Sequence, residues 1–339
     1  MVTLAWSRKA LVLCASAVLG SCGGQNAAPN LLTLPSSAVP AGARATGGCP
    51  SAHCIIVGNG PRFSGQTGNI LFFPEGAEKD APPVREIGGS KTDLGYLAGV
   101  ASDSGGNLYV VKTNPSTIEV FAADAQGNVA PIRTIAGSKT LLTQPAGIAF
   151  DGSDYLYVVN QKPAYIAIFA PDANGNVAPV RVIRGRKTHL YYTWGVAFDS
   201  SGNLYASNWQ SVTVYAPGAS GNVKPLREIS GSDTELSGSN GIALDDLGYV
   251  YVVSSNYWYI TVYAPGAHGD ATPTRVCHCG LYGPVGIAVD ANRRLYVSNV
   301  GYDDPPYLRK LANTASGYSG SSIAGKSTRL GWPVGILER

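Results

Sequence analysis

The chain has 339 residues, 45% of them hydrophobic and 14% charged, with a formal net charge of +3. That is enough apolar material for a substantial core. The sparse charge, with no basic cluster and no basic helix, excludes the footprint of a nucleic-acid-binding protein.

The first element is an export signal. Arg8 and Lys9 precede a run of small and apolar residues, Ala10 to Gly20. This run is too short to cross a hydrocarbon layer of about 30 Å and has the flanks of a signal sequence. Leu19-Gly20-Ser21-Cys22 closes it and resembles a bacterial lipobox, which implies a signal peptide over 1–21 and acylation of Cys22. More than one acyl chain on that residue holds a protein stably to a lipid bilayer. An ordinary signal peptide cut nearby, with Cys22 incidental, is the alternative. Gly23 stands where lipoproteins retained at an inner membrane carry Asp, so the expected location is extracytoplasmic, at an outer membrane or cell surface. Residues 22–48 are rich in Gly, Ala, Pro, Ser and Asn. They cannot bury enough surface to offset chain entropy and read as a flexible tether.

The remainder, 49–339, is one unit repeated. A Gly-(Ile/Val)-Ala-x-Asp segment starts at Gly99, Gly147, Gly195, Gly241 and Gly286, and a truncated copy at Gly335, at intervals of 48, 48, 46, 45 and 49 residues. Each complete copy continues into a second apolar run, such as Leu156-Tyr157-Val158, and then a third, such as Ile166 to Phe169. A fourth run is built on Pro-x-Arg-x-Ile, at Pro83, Pro131, Pro179 and Pro225, with a variant at Pro273. Short runs of β-branched and aromatic residues punctuated by Gly, Asn, Asp and Pro are strand chemistry. Four antiparallel strands every ~45 residues define a propeller blade, and one blade cannot bury its own faces, so blades pack in a ring.

The chain ends give the count. The last copy stops after its first strand, Gly335-Ile336-Leu337, whereas the domain opens on a second-type strand, Cys54 to Val57. A third-type strand, Ile70 to Phe73, and a fourth, Val84 to Ile87, follow. The expected fold is all-β: a six-bladed β-propeller of four-stranded antiparallel blades. One C-terminal inner strand joins three N-terminal strands to close it, leaving no free edge there.

The segments Gly241-Ile242-Ala243, Gly106-Asn107-Leu108-Tyr109-Val110 and Ile260-Thr261-Val262-Tyr263 resemble the NHL repeat and the related SMP-30/gluconolactonase-like six-bladed propellers, over roughly 54–339. The resemblance is specific for fold and poor for function. It implies relatives that include lactonases, a peptide-amidating lyase and many non-enzymatic binding modules.

Comparing the copies with one another separates architecture from function. The Asp ending each first strand (Asp103, Asp151, Asp199, Asp245, Asp290) is expected to accept backbone N–H bonds in a turn. The outer-strand Arg residues (Arg85, Arg133, Arg181, Arg227, Arg275) are expected to guard the edge against pairing. Alternating strand direction puts the uniform first-to-second and third-to-fourth links on one face. The second-to-third and blade-to-blade links share the other, and that face collects aromatics: Tyr96, Tyr191, Tyr192, Trp194, Trp209, Tyr257, Trp258, Tyr282, Tyr302, Tyr307 and Trp332. A candidate ligand face follows, comprising Tyr192, Trp194, Trp209, Tyr257, Trp258 and Trp332 with Asn160, Asn208 and Asn299, suited to a protein, peptide or glycan. The competing reading is that many of these aromatics wedge between blades near the channel mouth.

No catalytic constellation is complete. A metal-dependent lactonase of the SMP-30 type, with a divalent ion such as Ca²⁺ in the channel mouth, is the alternative function; it needs converging oxygen ligands. The variable face offers only Asp93, Asp233, Glu235, Asp303 and Asp304 as carboxylates, and the histidines (His53, His189, His268, His278) are scattered. Neither a metal site nor another cofactor is implied. With Cys22 acylated, Cys49, Cys54, Cys277 and Cys279 remain as an even set for an oxidising compartment. Local pairs, Cys49 with Cys54 and Cys277 with Cys279, are expected.

Overall fold

The computed structural model describes residues 54–61, 67–301, 304–314 and 317–338. The signal segment, the tether, Cys22, Cys49, His53, Tyr302 and Asp303 lie outside the described residues.

Six four-stranded antiparallel sheets form the ring. From channel to rim, the first blade is Trp332–Glu338, Cys54–Gly60, Asn69–Pro74 and Arg85–Gly88. The second is Leu97–Ser102, Leu108–Lys112, Thr117–Phe121 and Arg133–Ile135. The third is Pro145–Phe150, Leu156–Gln161, Ala164–Phe169 and Arg181–Ile183. Gly195–Phe198, Leu204–Asn208, Ser211–Tyr215 and Arg227–Ser230 make the fourth. Ser239–Leu244, Val250–Ser254, Tyr259–Tyr263 and Arg275–Cys277 make the fifth. The sixth is Pro284–Val289, Leu295–Asn299, Tyr307–Thr314 and Gly317–Ala324. Closure is as the chain ends imply: Val57 pairs with Ile336 and Ile56 with Leu337.

The core is distributed between blades, because each sheet is apolar on both faces. One buried cluster joins the second and third blades, where Tyr109 meets Phe150 edge-on at 4.7 Å. Equivalent clusters fill each remaining junction. Inner strands approach closely at the channel. A Cβ on Gly241 would lie 2.8 Å from the carbonyl oxygen of Val285 in the next blade, so glycine is a steric requirement in this copy of the repeat.

The turn role of the repeated Asp holds. Asp151 accepts from the N–H groups of Ser153 and Tyr155 at 2.9 and 3.0 Å, and from the Tyr157 hydroxyl at 3.2 Å. The repeated Arg does something other than guard an edge. Arg133, Arg181 and Arg227 donate to the hydroxyls of Tyr109, Tyr157 and Tyr205 at 2.6, 3.1 and 2.8 Å. In the third blade a polar line therefore crosses from inner-strand Asp to second-strand Tyr to outer-strand Arg. Edge protection comes from the backbone. Each long third-to-fourth link leans onto the preceding blade and bridges its outer strand: Gly127 to Ile87, Gly175 to Ile135, Gly221 to Ile183, Gly269 to Ile229 and Lys79 to Ile323. A fifth, short pairing thus occupies edges that would otherwise template aggregation.

Burial raises the pKa of these tyrosines, that of Tyr109 to about 12, with Tyr157 and Tyr205 shifted the same way. The folded chain keeps these protons to higher pH than the unfolded chain, whose tyrosines titrate near pH 10. Stability is therefore full below about pH 10 and falls as pH rises from about 10 to 12. Urea midpoints measured across that window should decline, and Tyr109→Phe should make the decline shallower.

Candidate binding face

The blade-to-blade links share a device that the aromatic inventory misses. Four carry a 3-10 turn: Ser138–Thr140, Arg186–Thr188, Ser232–Thr234 and Lys326–Thr328. With Gly89 to Thr92, these form a Gly-x-x-Thr motif in which the threonine hydroxyl donates to the glycine carbonyl at 2.7–2.8 Å. An Asn or Asp from the neighbouring blade's leaning link (Asn128, Asn176, Asn222, Asp270, Asp80) then accepts from an N–H of the turn at 2.7–2.8 Å. The glycine has φ near +117 to +139 in the four 3-10 turns, and the Asn176 side chain lies where a Cβ on Gly137 would be. Only glycine admits both conditions. The signal is legible: Gly-Ser-Lys-Thr, Gly-Ser-Lys-Thr, Gly-Arg-Lys-Thr, Gly-Ser-Asp-Thr and Gly-Lys-Ser-Thr recur at blade intervals.

The fifth-to-sixth link lacks the motif and carries Cys277-His278-Cys279-Gly280 in a shorter loop. Cys277 is buried, and its sulfur contacts that of Cys279 across a Cα separation of 5.2 Å. Arg309 Nε donates to the Cys279 carbonyl at 3.0 Å and the Tyr307 hydroxyl to that of Gly280 at 2.8 Å, so the sixth blade anchors this loop.

The asparagines ending the second strands are fully engaged in fastening these links. Asn160 Oδ1 accepts from Thr143 N–H at 2.6 Å. Asn208 Oδ1 accepts from the Thr193 hydroxyl at 2.6 Å while its amide donates to Ser211 and Thr213. Asn299 Oδ1 accepts from Tyr282 N–H at 3.1 Å, and Asn59 Oδ1 from Gly331 and Trp332.

The aromatics divide. Trp194 is 6% exposed and sits at the channel mouth in one apolar cluster with Ala146, Val285 and Val334, residues that precede the repeated glycine in three other blades. Trp332 packs against the same cluster, partly buried. These two are wedges. Around them stand two accessible groups. Tyr191, 63% exposed, meets Tyr192 edge-on at 4.7 Å, and Tyr192 lies 6.3 Å from Trp209 with the Lys162 ammonium 5.1 Å from its ring. Tyr257, 62% exposed, stacks on Tyr259 at 5.8 Å; Trp258 meets Tyr282 at 4.3 Å, and Tyr259 meets His278 at 5.4 Å. The Trp209–Tyr192 pair and the Tyr257–Trp258 corner are thus two separate groups on the face, and Trp194 turns inward.

Among the described residues no group of three or more His, Cys, Asp or Glu is placed to hold a metal ion. Asp93 pairs with Lys112 at 2.6 Å, and Lys112 with Glu119 at 3.0 Å. Lys112 occupies, in the second blade, the slot that holds Asn in four others. Both Lys112 and Glu119 are 1% exposed, and Thr117 and Thr134 donate to the Glu119 carboxylate.

Comparisons with solved structures agree on the architecture. A protein of unknown function from Bacteroides caccae shares 14% identity at a TM-score of 0.60, over 85% of this chain and 99% of that one. A virginiamycin B lyase from Staphylococcus aureus shares 13% at 0.52, over 80% and 86%. The PQQ-bound aldose sugar dehydrogenase from Streptomyces coelicolor shares 16% at 0.51, over 76% and 90%. No protein-family model and no curated protein sequence matches the chain. At these identities the similarity is one of fold.

The buried pair supplies a test with an internal control. Lys112→Met alone strands a buried carboxylate and should cost about 3–5 kcal/mol. Lys112→Met combined with Glu119→Leu replaces the pair by apolar side chains of similar volume and should recover most of that loss. Urea denaturation of the three proteins distinguishes the outcomes.

Proposed function

We propose that this protein is a lipid-anchored, extracytoplasmic propeller of the NHL or SMP-30-like kind that binds a peptide, glycan or partner protein through its link-bearing face. The observation that carries the reading is the sidedness of its exposed aromatics. Among the described residues, Tyr96, Tyr191, Tyr192 and Tyr257 are the aromatics in the set of exposed large apolar side chains, and all four stand on this face. Amphipathic aromatic side chains on a rigid frame give contact area at low entropic cost. The lipobox-like Leu19-Gly20-Ser21-Cys22 supports the anchor, and an oxidising compartment accords with disulfides at Cys277–Cys279 and Cys49–Cys54. The lactonase alternative needs carboxylates and asparagines free to converge on one ion, whereas Asn160, Asn208 and Asn299 are committed to fastening the links.

Two measurements test the reading. Tyr191→Ala, Tyr192→Ala and Tyr257→Ala combined should leave the thermal midpoint within a few degrees, since the residues are exposed, yet abolish the wild-type hits on glycan and peptide arrays. Identical hits from the two proteins, or none from the wild type, would remove the binding face. Cys22→Ala should move the protein from the membrane to the soluble fraction and end its labelling by radioactive palmitate; unchanged partitioning would dismiss the anchor.

A further inference from the structure

The third blade carries a groove of about 280 Å³ on this face, walled by Ser138, Leu141, Thr143, Pro163, Tyr165 and Arg184. It lies between the Gly-x-x-Thr turn that leads into the blade and the turn joining the blade's second and third strands. Its volume is near the lower end of small-ligand sites, about 300–1,000 Å³. Its frame is fixed from beneath. The Tyr165 hydroxyl bonds the Leu141 carbonyl, and Asn160 holds Thr143.

The charge around this groove is unlike that of any other blade. Arg184 is in the wall, with its guanidinium 5.5 Å from the Tyr165 ring. Lys139 follows Ser138, Lys162 precedes Pro163, and Arg186 and Lys187 follow Arg184, all of them exposed. Among the described residues none of these five cations forms a salt bridge. The repeat shows that the frame does not need them. The residue at the Arg184 position is Gly88, Ala136, Ser230, His278 or Ala324 in the other blades, and the next link builds the same turn with Asp233 and Glu235. Arg184 in the groove wall, with four more uncompensated cations on the links and turn around it, makes a site for an anion, Arg offering a two-pronged donor to a carboxylate.

The surroundings limit the anion. Tyr191 and Tyr192 stand on the link that follows the groove, with Lys162 reaching over the Tyr192 ring, so flat faces for stacking adjoin the charge. Beyond them Glu228, which pairs with His189 at 2.8 Å, and then Asp233 and Glu235 reverse the sign. A long polyanion crossing the face would meet repulsion there, whereas one acidic unit flanked by neutral ones would not. We propose that the groove binds the carboxylate of an acidic saccharide whose neighbouring sugars rest on Tyr191 and Tyr192. This rests on the binding-face reading above and names its ligand class.

The test uses the mature full-length protein and a panel of uronate- and sialate-bearing oligosaccharides, each with its methyl ester as an uncharged match. At least one acidic member should bind, about tenfold or more tightly than its ester, and Arg184→Gln/Arg186→Gln/Lys187→Gln should lose about the same factor. Equal binding of acid and ester, an unaffected triple variant, or no acidic member bound overturns the inference. The binding face then still stands if the Tyr191, Tyr192 and Tyr257 variant loses its array hits. A single-stranded oligonucleotide, or vesicles of phosphatidylglycerol in phosphatidylcholine, binding as tightly as the best saccharide would show a generic polyanion surface and also overturn it.

Discussion

Val57 and Ile336 stand opposite each other in one β-ladder although almost the whole domain lies between them. That single pairing makes a linear repeat into a ring, and the other features depend on it. Each blade hides its two faces against adjacent blades, so the core is six junctions rather than one centre. Were the last strand elsewhere, the first blade would be three strands with an open inner edge, and the junctions on either side would lose a wall. The ring also fixes strand direction, and strand direction decides which links share a face. The grouping of Tyr191, Tyr192, Trp209 and Tyr257 on one side is thus a consequence of closure before it is a matter of function.

A ring still leaves outer edges, and the chain covers most of them with its own backbone. The leaning links do two things at once: a glycine, or Lys79 in the first blade, pairs with the neighbour's outer strand, and the next residue, Asn or Asp, caps the neighbour's Gly-x-x-Thr turn. The junction between fifth and sixth blades is built otherwise. The sixth blade replaces the leaning link with a long hairpin, Tyr307–Thr314 and Gly317–Ala324. Tyr318 of that hairpin lies 5.0 Å from the Arg275 guanidinium, and Arg309 and Tyr307 bond the Cys-His-Cys loop. Loss of the capping link and loss of the Gly-x-x-Thr turn occur together because each is the other's partner. The cysteine pair stands where that partnership is absent.

The fold was legible because repetition multiplies a weak signal. Any one copy of Gly-Ile-Ala-x-Asp or Leu-Tyr-Val says little, but six in register specify strand number, order and closure. The site was legible only in part. Periodicity places a residue on a face without saying whether its side chain points out or in, so Trp194 and Tyr191, three positions apart, look alike in sequence and differ in exposure by 6% against 63%. Asn160, Asn208 and Asn299 read as ligand donors until their partners in the folded links are seen. The repeated Arg misled because the sequence does not show that a backbone segment from the next blade already covers the edge. The cations of the third blade are harder to read, because Lys162 and Arg184 have no cationic counterpart in the other copies and lie far apart in sequence, while folding puts Arg184 in the same groove wall as Ser138 and Pro163, the neighbours of Lys139 and Lys162.

What the link side offers a ligand depends on stiffness as much as on residue type. Binding costs less when the contacting groups are already ordered, and here the variable side chains are displayed from turns whose own donors and acceptors are engaged. In the third blade the threonine hydroxyl, the Asn176 cap and the Asn160 amide each tie down the backbone of the groove wall. The frame is the same where the following link presents Asp233 and Glu235 in place of Lys187 and His189. Recognition can therefore change from blade to blade without disturbing the ring, since the residues that hold a turn and the residues that it displays are different residues.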